Sequence, residues 1–265
     1  MTNIGKIMGR VIRVFSFFGI NIVHLGCAVM GIPFFIRDWW VLKRQMKDQS
    51  FPFGRLFPCL TERFGSSGNG SSIYFLQDLF VANRVFVNNP KVHIDVGSRI
   101  DGFVAHVAAF RKVQVFDIRP LGNEIQNVEF VQTDMMSELP SELCGCCDSL
   151  SCLHAIEHFG LGRYGDPVCW DGHLRGLNNL TNILKMGGKL YFSVPIGAQR
   201  IEFNAHRVFA IQWLLDYFSK NYRLDQFSYI DHGRLYSNVA LTEGNVVENC
   251  GCVYGCGIFE LTKVK

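Results

Sequence analysis

In HIDVGSRIDGF (93–103) an apolar run closes on Asp95, and Gly97 opens a turn. VQVFD (113–117) and NVEFVQTD (127–134) close two more such runs, on Asp117 and Asp134. A strand, a glycine turn that lets backbone approach a ligand, and an acid about 20 residues further on make a site for a nucleoside-bearing cofactor.

The side chains of the turn narrow that class. A dinucleotide fingerprint needs a second glycine two residues after Gly97, where Arg99 stands, and its bulk keeps backbone away from a pyrophosphate. Gly97 and Gly102 have phosphate-loop spacing, but Phe103 and Val104 follow where Lys and Ser or Thr must neutralise phosphate and ligate magnesium. A cofactor with ribose and adenine but no phosphate remains, which describes S-adenosylmethionine.

DSLSCLH (148–154) and GGKLYFSVP (187–195) continue the rhythm of short apolar or β-branched runs, separated by segments able to form helix. Parallel strands joined by crossovers follow, hence an α/β, doubly wound, mostly parallel Rossmann-like sheet of about seven strands. LNNLTNIL (177–184) places Leu177, Leu180, Ile183 and Leu184 on one helical face, with Gly187 and Gly188 expected to stop the helix.

The ordered blocks DVGSRIDG, FDIRP, QTDMM, SLSCLHAIEH and LKMGGKLYFSVP resemble class I S-adenosylmethionine-dependent methyltransferases. A closer similarity, through FPFGRLFPCL, YFLQDLFVA, HIDVGSRIDGFVAHVAAFR, HAIEHFGLGRYGD, SVPIGAQRIEFNAHRVF and GCGIFELTK, is to the bacterial domain family DUF268, found with surface-polysaccharide genes; it extends over nearly the whole chain. The resemblance implies a methyltransferase acting on a sugar or glycan precursor. Asp95, Gly97, Ser98 and Arg99 would form the cofactor turn, with Asp117 and Ile118 at the ribose and Asp134 and Met135 near the adenine. Methyltransferases of this class carry further glycines where Arg99 and Asp101 stand. A binding module that keeps the sheet without the chemistry is the alternative.

Methyl transfer needs an in-line nucleophile and, for a hydroxyl, a base. His154, Glu157 and His158 follow the fourth strand and His206 follows the fifth, so both groups can converge above the sheet. His154 or His206 is the first choice of base, since neutral imidazole accepts a proton near neutral pH. The loop GLGRYGD (160–166) offers Arg163, Tyr164 and Asp166, and Arg200 and Arg207 follow Pro195. Guanidinium groups suit phosphate or carboxylate, as in a nucleotide sugar or lipid-linked sugar phosphate, and equally suit pairing with nearby acids to fix the loops.

Residues 1–50 read as a basic, amphipathic helical extension, and 51–265 as the α/β domain. Lys6, Arg10 and Arg13 precede a stretch from Val14 to Ile36 without Asp, Glu, Lys or Arg, which is long enough to cross a bilayer. Gly19, Asn21, His24 and Pro33 interrupt it, and HLGC (24–27) is a poor lipoprotein box. Docking on the domain and peripheral contact with the cytoplasmic face of an inner membrane both stand open, with Trp39 and Trp40 as interface anchors.

A net charge of +3 without a basic stripe argues against nucleic acid. The CxxC at Cys144 and Cys147 has no matching partner among Cys250, Cys252 and Cys256, so no metal site is expected. HAIEH (154–158) fits the zinc-protease pattern HxxEH but begins at a strand end rather than inside a helix. Free thiols in a reducing cytoplasm are expected.

Overall fold

The computed structural model describes residues 12, 14–16, 18–46, 53–65, 68 and 70–265; Lys6, Arg10 and Arg13 lie outside them. The chain divides into two compact units, Met1–Asn69 and Gly70–Lys265. Residues 53–65 therefore group with the N-terminal helix.

In the first unit, helix α1 (Ile22–Gln45) starts at Asn21, whose side chain accepts a hydrogen bond from the His24 amide. Gly31 packs against the Leu60 backbone. Asp38 pairs with Arg37 and Arg63, and the Arg63 guanidinium lies over Phe34.

In the second unit, helix α2 (Ile73–Asn88) is capped by Ser72, which accepts from the Phe75 amide, and ends at Asn89 in the left-handed conformation. Strands β1 (His93–Val96), β2 (Val113–Asp117), β3 (Val128–Gln132), β4 (Cys147–Leu153) and β5 (Leu184–Ile196) are parallel neighbours in the order β3-β2-β1-β4-β5. A hairpin, β6 (Arg200–Glu202) with β7 (His206–Val208), projects after β5. Strand β8 (Tyr222–Asp231), the short edge strand β9 (Arg234–Tyr236) and β10 (Gly255–Lys263) complete an eight-stranded sheet, with β10 antiparallel between β5 and β8. The expected doubly wound, mostly parallel Rossmann-like sheet is present, with one strand more than anticipated.

Helix α3 (Ala105–Ala108) follows β1, α4 (Gly172–Ile183) precedes β5, α5 (Ile211–Phe218) precedes β8, and α6 (Glu243–Val247) precedes β10. Two connections differ from the expected helices. Residues 118–127 form no helix, and the β3–β4 connection holds only a 3₁₀ turn at Ser141–Leu143. Pro120 and Gly122 in the first, and Pro140 and Gly145 in the second, break helical continuity. Helix α4 also stops earlier than expected, because Leu184 is already extended and β5 runs through Gly187 and Gly188.

The sheet is covered on both faces. Leu177 and Leu180 of α4 and Leu214 of α5 pack with Leu150, Cys152 and Phe192 in one cluster. Val81 and Val85 of α2 pack with Phe103, Val107 and Val115 in the other. Burial on both faces explains why β1, β2, β4 and β5 read as largely continuous apolar runs, while β3 at the edge is partly exposed.

Candidate functional site

A cavity of about 370 Å³ opens at the carboxyl ends of β1 to β4. Strand order reverses between β1 and β4, and such a switch point is where open α/β sheets bind ligands. Gly97, Ser98 and Arg99 line the cavity after β1, and Asp117 and Ile118 after β2. Asp134 and Met135 line it after β3, and His154 and His158 after β4. Arg163, Tyr164 and Asp166 close it from the loop beyond. Asp95, Glu157, Arg200, His206 and Arg207 do not face it.

Asp95 lies beneath the turn instead of in the cavity. It pairs in register with Ser151 of β4, whose hydroxyl donates to Asp95 Oδ1 at 2.5 Å. The Ser98 amide and hydroxyl donate to its carboxylate at 3.1 and 2.8 Å. Burial pushes the Asp95 carboxyl up to about 7, against the pull of the Ser151 and Ser98 hydrogen bonds. His93 continues the chain, with Nε2 3.2 Å from Ser151 Oγ and Nδ1 2.8 Å from Ser149 Oγ. Burial lowers the His93 pKa to about 3, so its ring is neutral. Ser149 then donates to Nδ1 and Nε2–H donates to Ser151. This chain of hydrogen bonds ends on Ser98 beside Gly97, whose amide donates to the Phe116 carbonyl at 2.9 Å, whose φ is +76° and whose replacement Cβ would lie 2.8 Å from the Ala155 Cβ.

The rim acids are partly engaged. The Arg119 side chain donates to both oxygens of Asp117, at 3.0 and 2.6 Å, and its guanidinium lies 4.7 Å from the Tyr164 ring centre. Asp134 accepts from the Met136 amide and the Ser137 hydroxyl, which sets the loop after β3. Arg99 turns to Asp101 at 2.7 Å on the exposed surface, where such a pair contributes little.

In the cavity wall, His154 Nδ1 lies 2.7 Å from Glu157 Oε1. Burial alone disfavours the His154 imidazolium, but the Cys256 sulfur and the Glu157 carboxylate outweigh it and raise its pKa well above the usual value. Burial likewise opposes the Glu157 charge, and the neighbouring His154 more than compensates. The two make a close buried pair, and the upward shift makes His154 less suited than a depressed imidazole to the role of resting base. Its backbone has φ +50°, a conformation costly for a residue with a Cβ. His158 is the opposite case: burial lowers its pKa, despite Glu157, and leaves the ring neutral. Its Nδ1 donates to the Ala205 carbonyl at 2.7 Å, which leaves the lone pair on Nε2. His206 sits on the hairpin, 3.3 Å from Glu202 and against the Tyr254 ring, so it does not reach the cavity as expected.

The arginines expected to bind substrate sort mostly into loop supports. Arg207 is buried and donates to the carbonyls of Phe159 and Trp170 at 2.6 and 3.3 Å. Arg200 donates to Glu202 and to the Ala198 and Val253 carbonyls. Asp166 accepts from the amides of Gly160, Gly162 and Tyr164 and so shapes the loop. Arg163 faces the cavity while donating to the Ala205 carbonyl at 3.0 Å.

Three lining residues, Tyr74, Gln77 and Asp78, come from α2 and were not anticipated. Gln77 and Asp78 share the buried face of Val81, Ala82 and Val85. Two buried polar groups on an apolar helical face of YFLQDLFVA were the available signal. Gln77 accepts from the Ser193 hydroxyl at 2.6 Å and donates to Asp78 at 3.0 Å. Burial raises the Asp78 pKa, against that hydrogen bond. Its Oδ2 approaches Gly102 so closely that a Cβ there would lie 2.7 Å away.

Among the described residues no group of three or more His, Cys, Asp or Glu side chains is arranged to hold a metal ion. His154 and His158 do not occupy one helical face: His154 follows the strand end, and only Ile156–His158 form a 3₁₀ turn. All ten cysteines are free thiols.

A family model described as "Caenorhabditis protein of unknown function, DUF268" matches residues 121–232. The match spans less than half the chain, not nearly all of it as the sequence strings imply, and the description names a nematode genus rather than a bacterial setting. The chain is similar to a solved Burkholderia thailandensis 1,6-didemethyltoxoflavin-N1-methyltransferase, with bound 1,6-didemethyltoxoflavin and S-adenosylhomocysteine, at 11% identity and TM-score 0.51, covering 74% of this chain and 80% of that one. It is also similar to the N-methyltransferase NodS from Bradyrhizobium japonicum WM9, at 9% identity and TM-score 0.51, covering 72% and 97%. These likenesses show the class I methyltransferase fold. No curated protein sequence matches the chain.

Proposed function

We propose that the protein is an S-adenosylmethionine-dependent methyltransferase acting on a hydroxyl of a sugar or glycan precursor, in polysaccharide biosynthesis. The observation that carries this reading is the cavity itself. A glycine turn and two rim acids occur in cofactor order around a volume within the range of about 300–1,000 Å³ typical of small-ligand sites.

The residues fit that cofactor. The cradle at Gly97 leaves no room for a Cβ and so permits close approach of backbone. The Arg119 amide and side chain use three of about four acceptor positions of Asp117, and the remaining one on Oδ2 would hold a ribose hydroxyl, with Asp134 and Met135 at the adenine end. Asp78, a buried carboxyl facing the cavity, would balance the positive charge of the sulfonium. When bound, the cofactor supplies an electrophilic methyl on a sulfonium.

The chain's own contribution is positioning and a proton acceptor. His158 is neutral and its tautomer is fixed by Ala205, so Nε2 is the available acceptor for an acceptor-hydroxyl proton. The His154–Glu157 pair stiffens the wall beside it. With Arg200, Arg207 and Asp166 engaged in the protein, Arg163 and Tyr164 are left to meet the acceptor. A labelled-methyl assay over nucleotide sugars and glycans tests this reading: it predicts transfer that falls with His158→Ala, and no transfer to any sugar would count against the acceptor class.

The Asp117–Arg119 pair favours a second reading, a module of the same fold that keeps the cavity without catalysis, because the guanidinium already occupies the acid expected at the ribose.

A further inference from the structure

Helix α1 exposes apolar side chains all the way round. At about 100° per residue, Val23, Met30 and Val41 fall on one side and Leu25, Val29, Ile32 and Ile36 on the opposite one, all exposed. Gly31 is its one buried residue. A surface helix that packs on a soluble domain keeps its apolar residues to one stripe, whereas a helix apolar all round belongs in a core or in lipid. Here the core option is absent, since the most apolar 18-residue window is only 6% buried.

Length and flanking chemistry agree with lipid. Residues 22–36 of α1, before the paired Arg37 and Asp38, extend about 22 Å at about 1.5 Å per residue, enough to enter a hydrocarbon core of about 30 Å without having to cross it. From Val14 to Ile36 the sequence carries no Asp, Glu, Lys or Arg. The carboxyl end then gathers Trp39, Trp40, Lys43 and Arg44, with the Lys43 ammonium 5.0 Å from the Trp39 ring and 5.7 Å from the Trp40 ring. Tryptophan and basic side chains together are the chemistry of the headgroup level, and the cations complement anionic lipids. Leu56 and Phe57, in the segment of the same unit, add exposed apolar surface.

We infer that α1 is embedded in the acyl-chain region of a bilayer as an integral anchor, with Trp39, Trp40, Lys43 and Arg44 at the headgroups, rather than resting on the membrane surface. The full chain, expressed in cells, should remain with membranes through high-salt and alkaline carbonate washes, float with them on a density gradient, and leave only with detergent. Val29→Glu with Ile32→Glu should move most of it to the soluble fraction. Trp39 and Trp40 give a readout that needs no destabilising variant: in phosphatidylcholine–phosphatidylserine vesicles with brominated acyl chains, tryptophan fluorescence should be quenched, and that quenching should be lost in Trp39→Phe with Trp40→Phe. Release by salt or carbonate, pelleting without flotation, removal of the helix by N-terminal processing, crosslinking of α1 to a protein in place of lipid, or unquenched fluorescence would each overturn the inference.

Discussion

His154 Nδ1 and Glu157 Oε1 lie 2.7 Å apart in the wall of the cavity, with both side chains almost fully buried. Removing one charge of such a pair leaves the other without compensation, at a cost of about 3–5 kcal/mol. Glu157→Gln is therefore expected to destabilise the protein by about that much in urea unfolding. His154→Gln with Glu157→Gln should cost less than Glu157→Gln alone; additive losses would show that the pair carries no coupled charge.

His93 and Asp95 oppose each other in pH dependence. Burial holds the folded His93 pKa at about 3 against an ordinary 6.5, so its contribution to stability is lost as pH falls between those values. The folded Asp95 pKa is raised to about 7 from 3.8, so the folded state binds the proton more tightly and stability falls as pH rises through that window. The two slopes largely cancel in the native protein. His93→Gln should expose the decline with rising pH and Asp95→Asn the decline with falling pH, each at up to about 1.4 kcal/mol per pH unit. Denaturant midpoints across pH 4 to 7 check the signs.

Gly97 stands where a side chain would meet Ala155 and where φ is positive. Gly97→Ala is expected to cost about 1–2 kcal/mol for the left-handed backbone alone, with a further loss from the contact. Ligand affinity should fall alongside the thermal midpoint, and an unchanged midpoint would contradict the geometry.

Asp78 distinguishes a cationic ligand from a neutral one. Because its pKa is raised by burial, the carboxyl gains a proton as pH falls through that raised value and ceases to attract positive charge. Asp78→Asn should weaken S-adenosylmethionine, with its sulfonium, more than S-adenosylhomocysteine, by about 1 kcal/mol. Parallel titrations of the two ligands at neutral and mildly acidic pH measure the difference, and equal losses would place Asp78 away from the sulfonium.

Much of this architecture was legible in local pattern. The acid-terminated apolar runs placed β1 and β2, buried on both faces, and the partly exposed edge strand β3, and Gly97 placed the turn, because apolar strands and a close backbone approach leave direct marks in sequence. Side-chain pairing left no such mark, even between near neighbours. Nothing in the local pattern shows that Arg119 folds back onto Asp117, or that His154 turns onto Glu157, which raises its pKa. Asp78 escaped notice because its site lies across a loop and a strand from the turn it approaches. The arginines after Pro195 were ambiguous for the same reason: the carbonyls that Arg207 reaches belong to residues 159 and 170.

Calorimetric titration of the folded full chain with S-adenosylhomocysteine tests the central claim most directly. Saturable one-site binding is expected, weakened by about 1–3 kcal/mol in Asp117→Ala through loss of charge-assisted hydrogen bonds. Absence of binding by folded protein at millimolar ligand, or an affinity unchanged by Asp117→Ala, would contradict the assignment of this cavity to the cofactor.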